Sequence, residues 1–171
     1  MKKIAKFEKV SLNQFAKDWA DTFNDTSNIE DIYNSIKLPV RATKGSAGYD
    51  FFMPMDIRLM PNETIKIPTG IRCYMEEGWV LKCYPRSGLG FKYRLQLNNT
   101  VGIIDSDYYY SDNEGHIQAK ITNDTNERKE IKIACGDGFM QGIFVEYGIT
   151  FDDECYMERN GGFGSTTSNR N

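Results

Sequence analysis

The chain has 171 residues, 40 % of them hydrophobic and 13 % aromatic, with a net charge of −3. That length and composition predict one globular domain with a sizeable core, 1–171. The near balance of charge excludes a broad basic footprint for nucleic acid, while leaving room for local cations that hold a polyphosphate. The cysteines at 73, 83, 135 and 155 show no CxxC spacing and His116 is the only histidine, which argues against a zinc site. No signal peptide and no apolar run long enough to span a membrane is seen, so the expectation is reduced thiols in a cytoplasmic setting.

In chain order, residues 1–10 predict an edge strand. Ser11 is a helix N-cap, and Leu12, Phe15, Trp19 and Phe23 follow at helical spacing. Asn24-Asp-Thr-Ser-Asn28 is turn chemistry, and Ile29, Ile32, Tyr33 and Ile36 form a second stripe. The segment 11–36 therefore predicts a small helical insert whose apolar stripes pack on the main body. From Leu38 the texture changes to short alternating segments. Strands are expected at Asp50–Met53, Thr64–Pro68, Ile71–Met75, Trp79–Tyr84, Leu95–Leu97, Gly115–Asn123, Glu130–Ala134 and Gln141–Glu146. Many short strands with regular turn signals predict an all-β sandwich, barrel or jelly roll.

Several segments carry chemistry. Pro85-Arg-Ser-Gly-Leu-Gly90 reads as a sharp glycine turn with Arg86 and Ser87 as phosphate donors, or as a turn alone. Asn98-Asn-Thr-Val-Gly-Ile-Ile-Asp-Ser-Asp-Tyr108 offers an amide at Asn99 suited to an amide-edged base. Asp105 closes a strand-like run, where a buried carboxylate can deprotonate a water. Asp50 suits a hard cation such as Mg²⁺, directly or through water, and Gln141 is either a phosphate donor or an ordinary strand residue. The C-terminal run from Arg159 to Ser168 is glycine-rich, with Phe163 as a stacking ring. It reads as a frayed end or as a lid over 157–171.

Taken together, five segments resemble the five motifs of the homotrimeric dUTP nucleotidohydrolases (dUTPases). They are Gly45-Ser-Ala-Gly-Tyr-Asp50, Pro85-Arg-Ser-Gly-Leu-Gly90, Gly102-Ile-Ile-Asp-Ser-Asp-Tyr108, Gly136-Asp-Gly-Phe-Met-Gln141 and Gly161-Gly-Phe-Gly-Ser-Thr166. The resemblance implies a jelly-roll β-barrel, a homotrimer with sites shared between subunits, and hydrolysis of dUTP to dUMP and pyrophosphate with Mg²⁺. It implies Asp105 as the base that activates water for attack on the α-phosphorus, and Tyr108 as the ring on deoxyribose that excludes a 2′-hydroxyl. Asn99, Gly102, Ile103 and Ile104 would read uracil. Arg86, Ser87, Gly88 and Gln141 would hold phosphates, and Asp50 a Mg²⁺-bound water. Phe163 would stack on the base, with Arg159, Gly164, Ser165 and Thr166 on the γ-phosphate.

The chain departs from the family pattern in four places. One residue, Asn160, separates Arg159 from the Gly-Gly of the tail where two are usual. Gly138 stands where an arginine is usual. The segments 109–114 and 11–36 are extra, and resemble additions in dUTPases of phages of Gram-positive bacteria. Some of those phage enzymes also bind a repressor protein, and Tyr108-Tyr-Tyr110 is a candidate contact. The alternatives are a repressor-binding inducer as the main role, or dCTP deamination on the same fold.

Overall fold

The structure is a computed structural model that describes residues 1–156 and 159. Its strands form an antiparallel barrel of the jelly-roll type, built from three sheets. One sheet has the order β1 (Ala5–Lys9), β5 (Thr64–Met75), β9 (Ile117–Asn123) and β7 (Leu95–Leu97). A second has the order β2 (Val40–Arg41), β3 (Tyr49–Phe52), β11 (Gly138–Glu146), β6 (Trp79–Pro85) and β8 (Gly102–Ile104). The third pairs β10 (Ile131–Ile133) with β4 (Ile57–Leu59).

Period-two burial sets the core. Ile117, Ala119, Ile121 and Asn123 of β9 point inward, and they meet Phe51, Ile67, Leu81, Ile131 and Phe139 in one buried cluster. Asn123 is a polar group inside this core, and its amide is satisfied by donating to the carbonyls of Leu59 and Lys129.

The predicted helices form as α1 (Leu12–Phe23) and α2 (Ile29–Ser35). Ser11 caps α1, its hydroxyl accepting from Gln14 N at 3.1 Å, and Phe15 and Trp19 are buried beneath the helix. The insert thus packs on the body, against β5.

Three local expectations are corrected. Pro85–Gly90 is no sharp glycine turn. A helix, α3 (Ser87–Tyr93), starts immediately after Arg86, and neither Gly88 nor Gly90 has a positive φ. The two strands expected over 64–75 are one strand, with a register shift between Pro68 and Ile71. Pro68 ends the regular ladder, and Gly70, at φ 73°, carries the bulge. The strand expected from Gly115 begins at Ile117, because Gly115 is itself in the left-handed region at φ 69°. Strands β2 and β4 are too short to show a period in sequence.

The bulge in β5 receives the insert. Gly70 N–H, released from the ladder, donates to His116 Nε2 at 2.8 Å. Nε2 is therefore the acceptor, so Nδ1 carries the hydrogen and donates to Asp18 Oδ2 of α1 at 2.5 Å. Gln14 also donates to Asp18. A Cβ on Gly70 would lie 2.3 Å from Ile36 Cδ1, so the end of the insert closes over a backbone that only glycine leaves open.

The segment 109–114 is tied to the same insert. Glu114 accepts from both the backbone N–H and the hydroxyl of Ser11, at 2.7 and 2.6 Å. Tyr109 donates its hydroxyl to Glu8 of β1 and lies under the Arg72 guanidinium, 3.7 Å from its ring centroid. The two extra segments are thus one mechanical unit.

Burial by itself would raise the Asp18 and Glu114 carboxyls. Hydrogen bonds outweigh it, from His116 and Gln14 in one case and from Ser11 in the other, and both pKa values fall below the ordinary 3.8 and 4.5. A depressed folded-state pKa stabilises above the unfolded value, and that stabilisation is lost as pH falls through the folded one. The urea midpoint is therefore expected to hold from neutral pH down to about pH 5 and to drop below about pH 4. Glu114→Gln should have a lower midpoint at pH 7 and a shallower acid drop. An equally steep drop in the variant would rule out this linkage for Glu114.

Candidate active site

Strand β8 pairs with Leu81–Cys83 of β6, and its glycine lies close against that strand. A Cβ on Gly102 would stand 3.1 Å from Cys83 Cβ. The preceding turn is tight: Thr100 N–H reaches Leu97 O at 2.8 Å and Val101 N–H reaches Asn99 O at 2.7 Å. This hairpin and strand place Asn99, Gly102, Ile103 and Ile104 along one side of a cavity of about 210 Å³.

Asp105 ends β8 and caps the 3₁₀ turn Ser106–Tyr110, which swings Tyr108 into the same cavity. Contrary to the expectation of a buried carboxylate, the Asp105 side chain is half-exposed, at 47 %. It is accessible to a water because the chain turns away directly after it. Tyr108 is buried. Its hydroxyl donates to His116 O at 2.8 Å and accepts from Asn113 Nδ2 at 2.8 Å. Burial raises its pKa, which the Asn113 bond partly offsets, so the phenol stays protonated near neutral pH.

Arg159 lies at this cavity as well. Its Nη2 meets Asp105 Oδ2 at 2.6 Å and its Nε meets Asp107 Oδ1 at 2.8 Å. The guanidinium bridges two carboxylates in the described chain, where a phosphate grip was expected from the tail motif. Phe163, Gly164, Ser165 and Thr166, and the lid expected over 157–171 apart from Arg159, lie outside the described residues.

Asp50, Arg86, Ser87, Gly88 and Gln141 do not line the cavity. Asp50 and Gln141 lie on the neighbouring strands β3 and β11, and Arg86, at the start of α3 with Ser87 and Gly88, reaches them from the end of β6. Gln141 pairs in register with Asp50, and Arg86 Nε lies 3.4 Å from Asp50 Oδ1. Side-chain alternation separates the two sets: Met140 lines the cavity and Gln141, next to it, faces the other way. Two glycines make space here. A Cβ on Gly48 would lie 2.6 Å from Gln141 Oε1, and one on Gly138 would lie 2.7 Å from Arg86 Nη1. The absence of a side chain at Gly138 is what lets the Arg86 guanidinium reach Asp50.

A family model for dUTPase matches residues 34–167. The chain belongs to the dUTPase family. It is 43 % identical over 134 residues to the deoxyuridine 5′-triphosphate nucleotidohydrolase of Lactococcus lactis, covering 77 % of this chain and 88 % of that protein. The dUTPase of Streptococcus mutans has a similar structure, with a TM-score of 0.62 at 31 % identity over 84 % of this chain and 97 % of that one. A mutant dUTPase from phage phi11 of S. aureus matches in fold with a TM-score of 0.62 at 19 % identity, covering 91 % of this chain and 98 % of that one. As a member of the family the protein is an enzyme of the hydrolase class, and it resembles dUTPases of phages of Gram-positive bacteria.

Sequence reasoning missed cavity residues whose own side chains carry no obvious chemistry for the site. Cys83 and Met140 line the cavity as strand residues, and Gln118 brings a buried Oε1 with no hydrogen-bond partner among the described residues. Cys83 and Met140 are marked only by their inward register, and Gln118, on the opposite face of β9 from Ile117 and Ala119, is marked by no local signal. Cys83 is no nucleophile, since burial pushes its thiol up to about 12, and burial raises Cys73 further. Cys135 and Cys155 are exposed. Brief iodoacetamide treatment of the native protein at pH 8 is thus expected to label Cys135 and Cys155 and to spare Cys73 and Cys83, as read by peptide mass spectrometry.

Proposed function

We propose that the protein hydrolyses dUTP to dUMP and pyrophosphate, with Asp105 as the general base. The observation that carries this reading is the convergence of Asn99, the Gly102–Ile104 backbone, Asp105 and Tyr108 on one cavity. A pyrimidine edge would meet the amide of Asn99 and the backbone of β8. The Tyr108 ring would lie against the sugar. Asp105 would take a proton from a water attacking the α-phosphorus, the bond to the bridging oxygen would break, and pyrophosphate would leave. Arg159, now on Asp105 and Asp107, would exchange carboxylates for phosphate oxygens when the triphosphate arrives. Fork-like donation to either group is within a guanidinium's repertoire.

Arg86, Ser87, Gly88 and Gln141 would hold phosphates. Their separation from the cavity within one chain supports a site completed by a neighbouring subunit, in a homotrimer with three such sites. Exposed apolar groups that a partner would cover, such as Phe91 and Ile149, support the same assembly.

Among the described residues no cluster of three or more His, Cys, Asp or Glu is placed to hold a metal. Asp50, a single carboxylate beside Arg86, fits a Mg²⁺ held mainly by phosphates and contacted through water. It does not fit a protein-built cage. Such an ion would neutralise phosphate charge. The phage phi11 enzyme is described as coordinating a structural Mg(II) ion.

The repressor-binding role expected of Tyr108-Tyr-Tyr110 has a narrower basis than the sequence suggests. Tyr108 is buried and Tyr109 is engaged with Glu8 and Arg72, which leaves Tyr110, 73 % exposed and edge-on to Tyr109, as the most accessible ring. Deleting 110–114 would also remove Asn113 from Tyr108 and Glu114 from Ser11, so it would disturb the active site. The substitution Tyr110→Ala is the cleaner probe of a protein contact.

The decisive assay is pyrophosphate release from dUTP, dCTP, dTTP and UTP with Mg²⁺. Turnover of dUTP alone is expected, and conversion of dCTP to dUTP would indicate the deaminase alternative. Asp105→Asn should lower kcat by roughly 10²- to 10⁴-fold while nucleotide still binds in calorimetry. Near-normal turnover in that variant would remove Asp105 from the role of base. EDTA should suppress turnover, and added Mg²⁺ should restore it.

A further inference from the structure

The Asp18–His116 pair that seats α1 on β5 also reaches toward the cavity. Tyr108 presents its ring to the cavity, and its hydroxyl is bound at two points, His116 O and Asn113 Nδ2. Both belong to the stretch 113–116. That stretch also presses on the backbone of Tyr108, since a Cβ on Gly115 would stand 2.6 Å from Tyr108 O. The position of the ring is therefore set by where residues 113–116 sit.

Residues 113–116 are in turn held from the N-terminal insert. Ser11 fastens Glu114, and Asp18 fastens the His116 imidazole, whose far nitrogen is fixed by Gly70 N–H. Asp18 is an expensive choice for its place. It sits on the packed face of α1, one turn from Phe15 and beside Trp19, where an apolar residue would need no partner. A buried carboxylate with an imidazole partner contributes orientation more than stability.

We infer that α1 is a positioning element of the active site, in which Asp18 and His116 set the position of the Tyr108 ring and with it the discrimination between deoxyribose and ribose. Neither residue lines the cavity, so each acts through Tyr108 and neither is catalytic. The inference rests on the proposed placement of Tyr108 against the sugar.

Two readouts test it. The first is the ratio of kcat/KM for dUTP to that for UTP. Asp18→Ala removes the acceptor for Nδ1–H, and Asp18→Asn keeps a carbonyl oxygen in its place. The alanine variant is expected to lower the ratio by on the order of 10-fold or more, chiefly through a higher KM for dUTP. The asparagine variant should restore most of it. The second readout uses the fact that His116 is the only histidine in the chain, so its imidazole signals need no assignment among rivals. Long-range ¹H–¹⁵N correlation spectra of the wild-type protein should show an Nδ1–H tautomer. That signal should shift on addition of the non-hydrolysable α,β-imido analogue of dUTP.

Tyr108→Phe keeps the ring and removes its tether to His116. It should lower the selectivity ratio and shift the imidazole signal in the absence of nucleotide, which covers the case of an Asp18→Ala protein that does not fold. A purely structural role would lower the melting temperature of Asp18→Ala and leave its ratio unchanged, and that result overturns the inference. So does an imidazole signal indifferent to both the analogue and Tyr108→Phe. Failure of the wild-type enzyme to release pyrophosphate from dUTP would instead overturn the proposed function, and the response of His116 to Tyr108→Phe would still report the coupling.

Discussion

A buried carboxylate with one imidazole partner organises the N-terminal half of this molecule. Asp18 cannot remain ionised on an apolar helix face without a donor, and His116 can donate from Nδ1 only because Gly70 occupies Nε2. That backbone N–H is available because β5 bulges there, after Pro68. Bulge, histidine and helix are thus interdependent. Loss of either side chain would leave the other buried without its partner, which costs more than the pair itself contributes.

The same logic joins elements far apart in sequence. Glu114 closes the N-terminus of α1, where an anion is favoured, by taking two donors from Ser11. Glu8 of β1 takes the Tyr109 hydroxyl, and Arg72 covers the ring of Tyr109. Segments that look like separate additions to a β-barrel form one buttress beside the cavity. The Tyr109–Glu8 and Asp18–His116 bonds are at least partly buried, so they hold geometry better than exposed ion pairs such as Lys2–Glu76 do.

At the cavity and on the strands beside it, carboxylates hold the cations. Asp105 and Asp107 share Arg159, and Asp50 shares Arg86, so each cation expected to meet phosphate already rests on a carboxylate. An incoming triphosphate offers more oxygens and more charge than either aspartate. On the proposed reading both cations would move to it, and Asp105 would be freed to act as base.

Much of this was legible in the sequence because local chemistry sufficed. The Ser11 cap, the Phe15 and Trp19 stripe, strand β7 and the run leading to Asp105 follow from side-chain periodicity and donor placement over a few residues. The resemblance of ordered motifs pointed to the dUTPase family, and the family model matches the same region. Residue order alone is enough to nominate the acid, the amide, the tyrosine and the cations. How they are held is a matter of packing. The register of β5 against β9 across its bulge and the approach of Arg86 to Asp50 over Gly138 depend on contacts between distant segments. So does the pairing of Asp18 with His116, which lie 98 positions apart. Periodicity reports which face a residue presents, but the partner on that face is chosen by packing across the barrel, and no local pattern encodes it.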